Sequence, residues 1–351
     1  MAPVVRALSS RRTLSHQLLL TGQHRDLRAM FDGAGDVVEL AYDPSGRTPA
    51  KLRESLHRLL CGRFQRQRPD LVLVHGDTAS AFAGALAARD CGIPIGHVEA
   101  GLRSFDVKHP WPEEGNRIAI DALSALLFAP TARAAENLHR EWRVKGEIHV
   151  TGNSGIDALL DQAAKCPPGS AGAAEPTILV TCHRKENEGA ARAAIASALK
   201  RLVRHLPVRI VLPLHPNRHI RAETEHLLGG TPHIALLPPL DHAQMVATIT
   251  RSWLILTDSG GLQEEGPALG KPVLVLREVT ERPEAAPNVE LVGSDPDRIF
   301  AAVAGLILEP GRYAAMACPN LAFGDGKAGP RIAAACQAFL RARAGRLRAR
   351  A

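Results

Sequence analysis

The sequence predicts an α/β protein made of two Rossmann-like, doubly wound domains facing a cleft. Three observations lead there. Short apolar runs alternate with amphipathic stretches along nearly the whole chain, the pattern of strands and helices in a parallel sheet. Several of those runs end on small polar or glycine turns that lead into a helix, as at Val74-His75-Gly76-Asp77-Thr78 and Leu256-Thr257-Asp258-Ser259-Gly260-Gly261. The rhythm breaks at a Pro/Gly/Ala-rich segment, C-P-P-G-S-A-G-A-A-E over 166–175, and then restarts. The expected organisation is a first domain over 1–165, a linker over 166–175, a second domain over 176–329 and a final helix with a basic tail over 330–351.

The elements follow from local pattern. Ala2 to Leu8 reads as a helix with Pro3 in its first turn. Gln17–Thr21 is a strand, a helix is expected from Arg25, and Asp36–Leu40 is a second strand. Thr48 opens an amphipathic helix to about Arg66, with Leu52, Leu56, Leu59 and Leu60 on its apolar stripe. Leu71–Val74 is a buried strand, Thr78 caps a helix through Arg89, and Pro94–Val98 is the next strand. A helix through Leu123, the strand Leu126–Ala129, a helix from Thr131 to Arg140 and the strand Ile148–Thr151 complete the first half. In the second half, Thr177–Thr181, Val208–Leu212, Ile234–Leu237, Trp253–Thr257 and Pro272–Leu276 read as strands. Helices over Ala190–Leu206, after P-L-H-P-N, from Asp241, from Leu262 to Gly270 and from Pro330 to about Ala344 lie between and after them.

Composition narrows the function classes. At 351 residues, 45% hydrophobic and 23% charged, the chain is long enough for two cores. The net charge of +7 owes much to Arg341, Arg343, Arg346, Arg348 and Arg350 near the end. No aromatic residues accompany them, so a solvated helix end fits better than a nucleic-acid surface. No run is long enough for a membrane span, and the start lacks the form of a signal peptide. Cys61, Cys91, Cys166, Cys182, Cys318 and Cys336 are scattered without a C-x-x-C pair, which points to reduced thiols in a cytoplasmic protein. No close His/carboxylate spacing suggests a metal site, and no cofactor is expected.

Ligands of doubly wound sheets sit beyond the carboxyl ends of the strands. Asp77, Glu99, His183 and Asp258 all fall there. A lone Asp in such a loop is commonly a helix cap, but Thr78 can cap by itself, which leaves Asp77 for other work. Glu99 ends an apolar strand before Ala-Gly, with little room to reach solvent, a setting that perturbs a carboxyl group. Glu113, Glu114 and Arg117 open a helix after W-P, where the acids complement the helix dipole and Arg117 can pair one turn back. His183, Arg184 and Lys185 stand together where a diphosphate could meet them. Ser259, Gly260 and Gly261 allow close backbone approach to a phosphate, Glu265 lies one turn on in reach of ribose hydroxyls, and Arg277 and Arg282 follow the next strand. His75, His97, His215 and His242 read as structural histidines.

The motifs V-H-G-D-T, G-H-V-E-A-G-L-R, P-W-P-E-E-x-N-R, T-G-N-S-x-I-D-A-L, H-R-K-E-N, L-T-D-S-G-G-L-Q-E-E, G-K-P-V-L-V-L-R and T-E-R-P-E resemble the bacterial, non-hydrolysing UDP-N-acetylglucosamine 2-epimerases, in that family's order. The resemblance implies a GT-B-like architecture whose last helix crosses back to the first domain. It implies reversible conversion of UDP-GlcNAc to UDP-ManNAc by a homodimer acting on neither nucleic acid nor membrane. By position it places essential carboxylates on Asp77, Glu99 and Glu113 and an essential histidine on His183. Arg117 matches an arginine of the same motif, Arg184 joins the substrate contacts, and the UDP contacts fall on Ser259, Gly260, Gly261, Glu265 and Arg282. Where relatives often carry an aromatic residue near the uracil, this chain has Met245.

The family pattern also begins with a strand and a G-T-R-P-E-x-x-K loop, for which nothing stands before Met1. The expectation that follows is a natural start about fifteen or more residues upstream, and low stability and activity for the chain as written. The implied route is elimination of UDP to 2-acetamidoglucal and re-addition with protonation from the other face. Which carboxylate is acid and which is base stays open. A hydrolysing epimerase releasing ManNAc and UDP, a GT-B glycosyltransferase and an inactive nucleotide-sugar-binding protein are the rival readings.

Overall fold

A computed structural model describes residues 1–22, 31, 36–40, 48–108, 111–166, 175–184, 187–280 and 282–348. The helix expected from Arg25, most of the linker, Lys185 and the last tail arginine lie outside them. The chain divides into two compact units, one made of residues 1–158 with 324–351, the other of residues 159–323.

In the first unit the chain runs α1 (Ala2–Ser9), β1 (Gln17–Leu20), β2 (Asp36–Glu39), α2 (Pro49–Gln67), β3 (Val72–His75), α3 (Ala79–Asp90), β4 (Ile95–Val98), α4 (Glu113–Leu123), β5 (Leu126–Ala129), α5 (Ala132–Arg140) and β6 (Glu147–Val150). Helix α6 (Ser154–Ala163) then leads into the second unit. All strand pairs are parallel, in two sheets: β1 with β2, and a four-stranded sheet in the order β3-β4-β5-β6.

Both faces of the larger sheet are covered. Leu52, Leu56, Leu60 and Phe64 of α2 and the alanines of α3 pack on one side with Val74 and Ile95. Leu59 is 38% exposed, contrary to the stripe expected from the sequence. The buried row recurs every four residues, so it drifts around the helix and leaves Leu59 at its rim.

The second unit contains β7 (Thr177–Thr181), α7 (Ala190–His205), β8 (Arg209–Pro213), α8 (Arg218–Leu228), β9 (Ile234–Leu237), α9 (His242–Arg251), β10 (Leu254–Thr257), α10 (Leu262–Ala268), β11 (Val273–Val275), β12 (Val289–Leu291), α11 (Pro296–Leu308) and α12 (Pro310–Met316). Its parallel sheet has the order β12-β11-β10-β7-β8-β9. Counted from β7 this is 6-5-4-1-2-3, the doubly wound order, with the direction of winding reversing between β7 and β10. Alternation along β7 serves both faces: Ile178 and Val180 join the core under α7 and α11, while Leu179 packs with Ile255, Val273 and Ile249. Each such fully buried side chain stabilises by about 1.5–3 kcal/mol.

The last helix, α13 (Ala328–Arg348), belongs to the first unit. Its Ile332, Ala333 and Cys336 join Val4 and Leu8 of α1 and Val98, Leu126 and Phe128 on the second face of the four-stranded sheet. Helices α6, α11 and α12 and strand β12 have no counterpart in the sequence reading. Among the described residues no single helix is long and apolar enough to cross a membrane.

Candidate active site

In the first unit the candidate groups cluster on the loops that leave β3 and β4. Thr78 caps α3 by accepting from Ala81 N at 3.2 Å, so Asp77 is not needed there. Asp77 instead accepts from Arg117 Nε at 2.7 Å, and its backbone carbonyl accepts from Asn116 Nδ2, also at 2.7 Å. Arg117 pairs one turn back as well, to Glu114 at 3.0 Å. The pairing expected on helix grounds and the contact to a site carboxylate therefore coexist in one guanidinium.

The adjacent acids Glu113 and Glu114 take different roles. Glu114 is buried and accepts from the backbone N–H groups of Ser104 and Phe105 at 3.1 Å, which ties down the loop before α4. Glu113 is only half-buried at the start of α4. That separation leaves Glu113, rather than its neighbour, as the carboxylate with capacity for a substrate.

Glu99 adopts a left-handed backbone, φ +72°, rare for a residue with a β-carbon and costly by about 1–2 kcal/mol. Such strain gathers at functional sites. Its side chain is 27% exposed, more open than the Ala-Gly that follows it suggested. His75 Nε2 lies 3.6 Å from Glu99 Oε2. Burial, with the Met1 ammonium and His97 adding to it, pushes the His75 pKa down to about 3, so a neutral imidazole faces Glu99. Gly76 next to it sits at φ +65°, and a β-carbon there would come within 3.3 Å of Glu99 Oε2.

Beneath these loops His97 is fully buried, with Nδ1 2.6 Å from Asp121 Oδ1 and Nε2 3.0 Å from Gly76 O. Asp121 Oδ2 accepts from Arg103 at 2.6 Å and from Gly101 N at 3.3 Å. Burial opposes the Asp121 charge, but His97 and Arg103 outweigh it and hold the pKa below the ordinary carboxylate value. His97 is thus structural, as the sequence suggested, and it braces the turns that flank Asp77 and Glu99.

In the second unit the candidates occupy the loops after β7 and β10, at the point where the winding reverses. The two strands are tied by Thr181 Oγ1 and Thr257 Oγ1, 2.6 Å apart. Asp258, placed at the ligand end of its strand by the sequence, is buried and turned inward. It accepts from the backbone N–H groups of His183 and Arg184 at 2.9 Å and from Asn187 Nδ2 at 3.0 Å. Its work is to shape the His183 loop.

His183 packs against His215, ring centroids 4.9 Å apart. Burial lowers the His183 pKa and His215 lowers it further, while Asp258 opposes the shift. The sequence gave no reason to join His215 to the site, since the two residues come from different strands' loops. Cys182 beside His183 is pushed up to about 12, chiefly by burial, and so stays a thiol.

Ser259, Gly260 and Gly261 form the turn into α10, whose first N–H groups have no intrahelical acceptor. A β-carbon on Gly260 would lie 2.8 Å from Arg282 Nη1, so glycine is what lets this guanidinium lie over the turn. Arg282 Nε donates to Glu264 Oε1 at 2.6 Å, which fixes its direction. Met245, by contrast, packs among the apolar side chains around Ile249 and Leu262.

Glu265 is recessed, and burial followed by the neighbouring Glu264 charge raises its pKa from 4.5 to about 7. The folded protein holds a proton that the unfolded chain releases. This group's contribution to stability is therefore fully present below pH about 4.5 and is lost as pH rises through about 7, about 3 kcal/mol in all. Melting followed from pH about 5 to 8 is expected to show that loss, and Glu265→Gln to flatten it. An unchanged slope in the variant would locate the titration elsewhere.

The family model of UDP-N-acetylglucosamine 2-epimerase matches residues 6–337. The UDP-N-acetylglucosamine 2-epimerases of Yersinia pestis and Escherichia coli K12 are each 40% identical, over 95% of this chain and 93% of theirs. The structure of the UDP-GlcNAc 2-epimerase from Neisseria meningitidis bound to UDP-GlcNAc superposes with a TM-score of 0.85 at 35% identity, covering 96% of this chain and 95% of that one. The Methanocaldococcus jannaschii enzyme in complex with UDP-GlcNAc and UDP gives 0.78 at 31%, with 96% and 95% covered. The similarity takes in the carboxylate loops of the first unit and the glycine turn of the second alike, and on that extent the α/β, GT-B-like chain belongs to the UDP-N-acetylglucosamine 2-epimerase family.

Proposed function

We propose that the protein interconverts UDP-GlcNAc and UDP-ManNAc by the non-hydrolysing route, supplying ManNAc units for cell-surface polysaccharide. The observation that carries this reading is the extent of the family match, residues 6–337, which includes every candidate residue named above.

The hydrogen on carbon 2 has no adjacent carbonyl and is not acidic, so direct inversion is closed. In the proposed route a carboxylate takes the carbon 2 proton while the bond from carbon 1 to the diphosphate oxygen breaks. The C–H electron pair becomes the C1=C2 double bond of 2-acetamidoglucal, and UDP leaves with the pair from the broken bond. Re-addition of the UDP oxygen at carbon 1, with a proton delivered to the other face of carbon 2, gives the epimer.

Asp77, Glu99 and Glu113 supply the proton transfers and support positive character at carbon 1. Arg117, bonded to Asp77, orients that carboxylate. Arg184, Arg282, His183 and the Ser259–Gly261 backbone stabilise the departing diphosphate. Glu265 accepts the ribose hydroxyls, which favours its charged form, so UDP affinity is expected to rise as pH approaches about 7.

The route exchanges the carbon 2 proton with solvent. After incubation with UDP-GlcNAc in heavy water, mass spectrometry of the recovered sugar nucleotides is expected to show deuterium at carbon 2 in both epimers. Unlabelled product would overturn the elimination route. Accumulation of free ManNAc with no return of UDP-GlcNAc from UDP-ManNAc would identify a hydrolysing enzyme instead.

A further inference from the structure

Helices α2 and α3 of the first unit bring three side chains of metal-ligand type together, away from the carboxylate loops. His57 and Cys61 are four residues apart on α2 and share one face. Asp90 is the last residue of α3. His57 Nε2 lies 2.8 Å from Asp90 Oδ2 and 3.5 Å from Cys61 Sγ, and the three donor atoms all lie within 4.8 Å of one another. We propose that His57, Cys61 and Asp90 form a binding site for a thiophilic divalent cation of the zinc type, with the fourth position open to solvent.

A Cys-His-Asp set invites comparison with a nucleophilic triad, and the geometry excludes it. A triad uses the two imidazole nitrogens separately, one for the thiol and one for the carboxylate. Here Nε2 faces both partners. One proton on Nε2 can satisfy one of them, whereas a cation among the three atoms satisfies all.

The spacing also fits a cation. With zinc–nitrogen and zinc–sulfur bonds of about 2.0 and 2.3 Å, a tetrahedral ion sets nitrogen and sulfur about 3.5 Å apart, the separation already present. The carboxylate oxygen needs to withdraw by about half an ångström, toward the edge of about 3.4 Å that zinc–nitrogen and zinc–oxygen bonds require. The charge placement agrees, because a carboxylate at a helix C-terminus meets the negative end of the dipole, and a bound cation offsets both.

The surroundings are suited to holding an ion. Arg89 binds the other oxygen of Asp90, with Nε 2.8 Å from Oδ1, which orients the carboxylate and leaves Oδ2 for a metal. The side chains of His57 and Asp90 are 28% and 38% exposed, so an ion can enter the folded protein. The neighbouring thiol, Cys91, has its Sγ 3.8 Å from the Cys61 carbonyl and is not part of the three-donor group.

The test is a cobalt(II) titration of the full chain, reduced and kept from air. A thiolate-to-cobalt charge-transfer band saturating at one equivalent, and displaced by zinc, is the expected result. His57→Gln and Cys61→Ser, each checked for an unchanged circular dichroism spectrum, are expected to weaken binding by at least about tenfold. Cys91→Ser is expected to keep the band. Zinc is expected to raise the melting temperature of the parent protein and not of Cys61→Ser. Absence of the band, or a band of equal strength and affinity in Cys61→Ser, would overturn the site. So would loss of the band in Cys91→Ser with its retention in Cys61→Ser. Asp90→Asn is the second variant: affinity equal to the parent's would remove Asp90 from the ligand set.

Discussion

Glu99→Gln and Asp77→Asn are expected to lower the rate of epimerisation by about a thousandfold, the usual scale for removing a group that moves a proton in the rate-determining step. Both replacements are close to isosteric. Gln can keep the left-handed turn at 99 and its backbone bond from N–H to Phe128 O at 3.1 Å. Asn can keep accepting from Arg117 Nε through its side-chain oxygen. What each variant loses is the ability to take up and return a proton. UDP binding is expected to change little, because the groups assigned to it, Ser259 to Gly261, Glu265 and Arg282, belong to the second unit. The decisive measurement is therefore kcat for epimerisation beside the dissociation constant for UDP. Near-normal turnover in either variant would remove that residue from the chemistry, and a matching loss of UDP affinity would make it a binding group instead.

Asp258→Ala is expected to have the largest effect on stability. Its carboxylate receives the His183 and Arg184 N–H groups and the Asn187 amide, all in a buried setting. Removing it strands three donors, and each unsatisfied buried group costs about 1–3 kcal/mol. Relaxation recovers part of that, so a loss of about 3–5 kcal/mol is expected, against a typical total of about 5–15 kcal/mol. Denaturant unfolding checks it. Turnover should fall too, because the same bonds hold the His183 loop. Asp258→Asn retains an acceptor and is expected to lose less than the Ala variant. If Asp258→Ala melted like the parent and turned over normally, the loop would be held by something other than this carboxylate.

Local signals explain how much was legible in the sequence. Thr78 and Asp241 announced their helices because a cap is a contact within three residues, and both cap as read, Asp241 with a full capping box. The strands of the second half were visible as apolar runs because parallel strands are buried on both faces. Strand β12 is only three residues long, too short to stand out as a run, although Asp295-Pro296 does mark the start of α11 with a cap and a first-turn proline.

The sequence by itself determined the family, the parallel α/β class and the residues around which the chemistry is proposed, because each of these is written in contiguous motifs. Only the tertiary structure decided which neighbour does what. Glu113 and Glu114 are equivalent on paper, and it is the folded loop at Ser104 and Phe105 that claims Glu114. Asp258 looked like a ligand group until β7 and β10, 76 residues apart in the chain at Thr181 and Thr257, were paired side by side. His215 against His183, and His57 beside Asp90 at 33 residues' separation, are likewise products of helices and strands meeting. The physical reason is the same throughout. Backbone propensity, capping and alternation act over a few residues and leave a local pattern, whereas the partner of a buried charge is chosen by long-range packing, which no short stretch of sequence records.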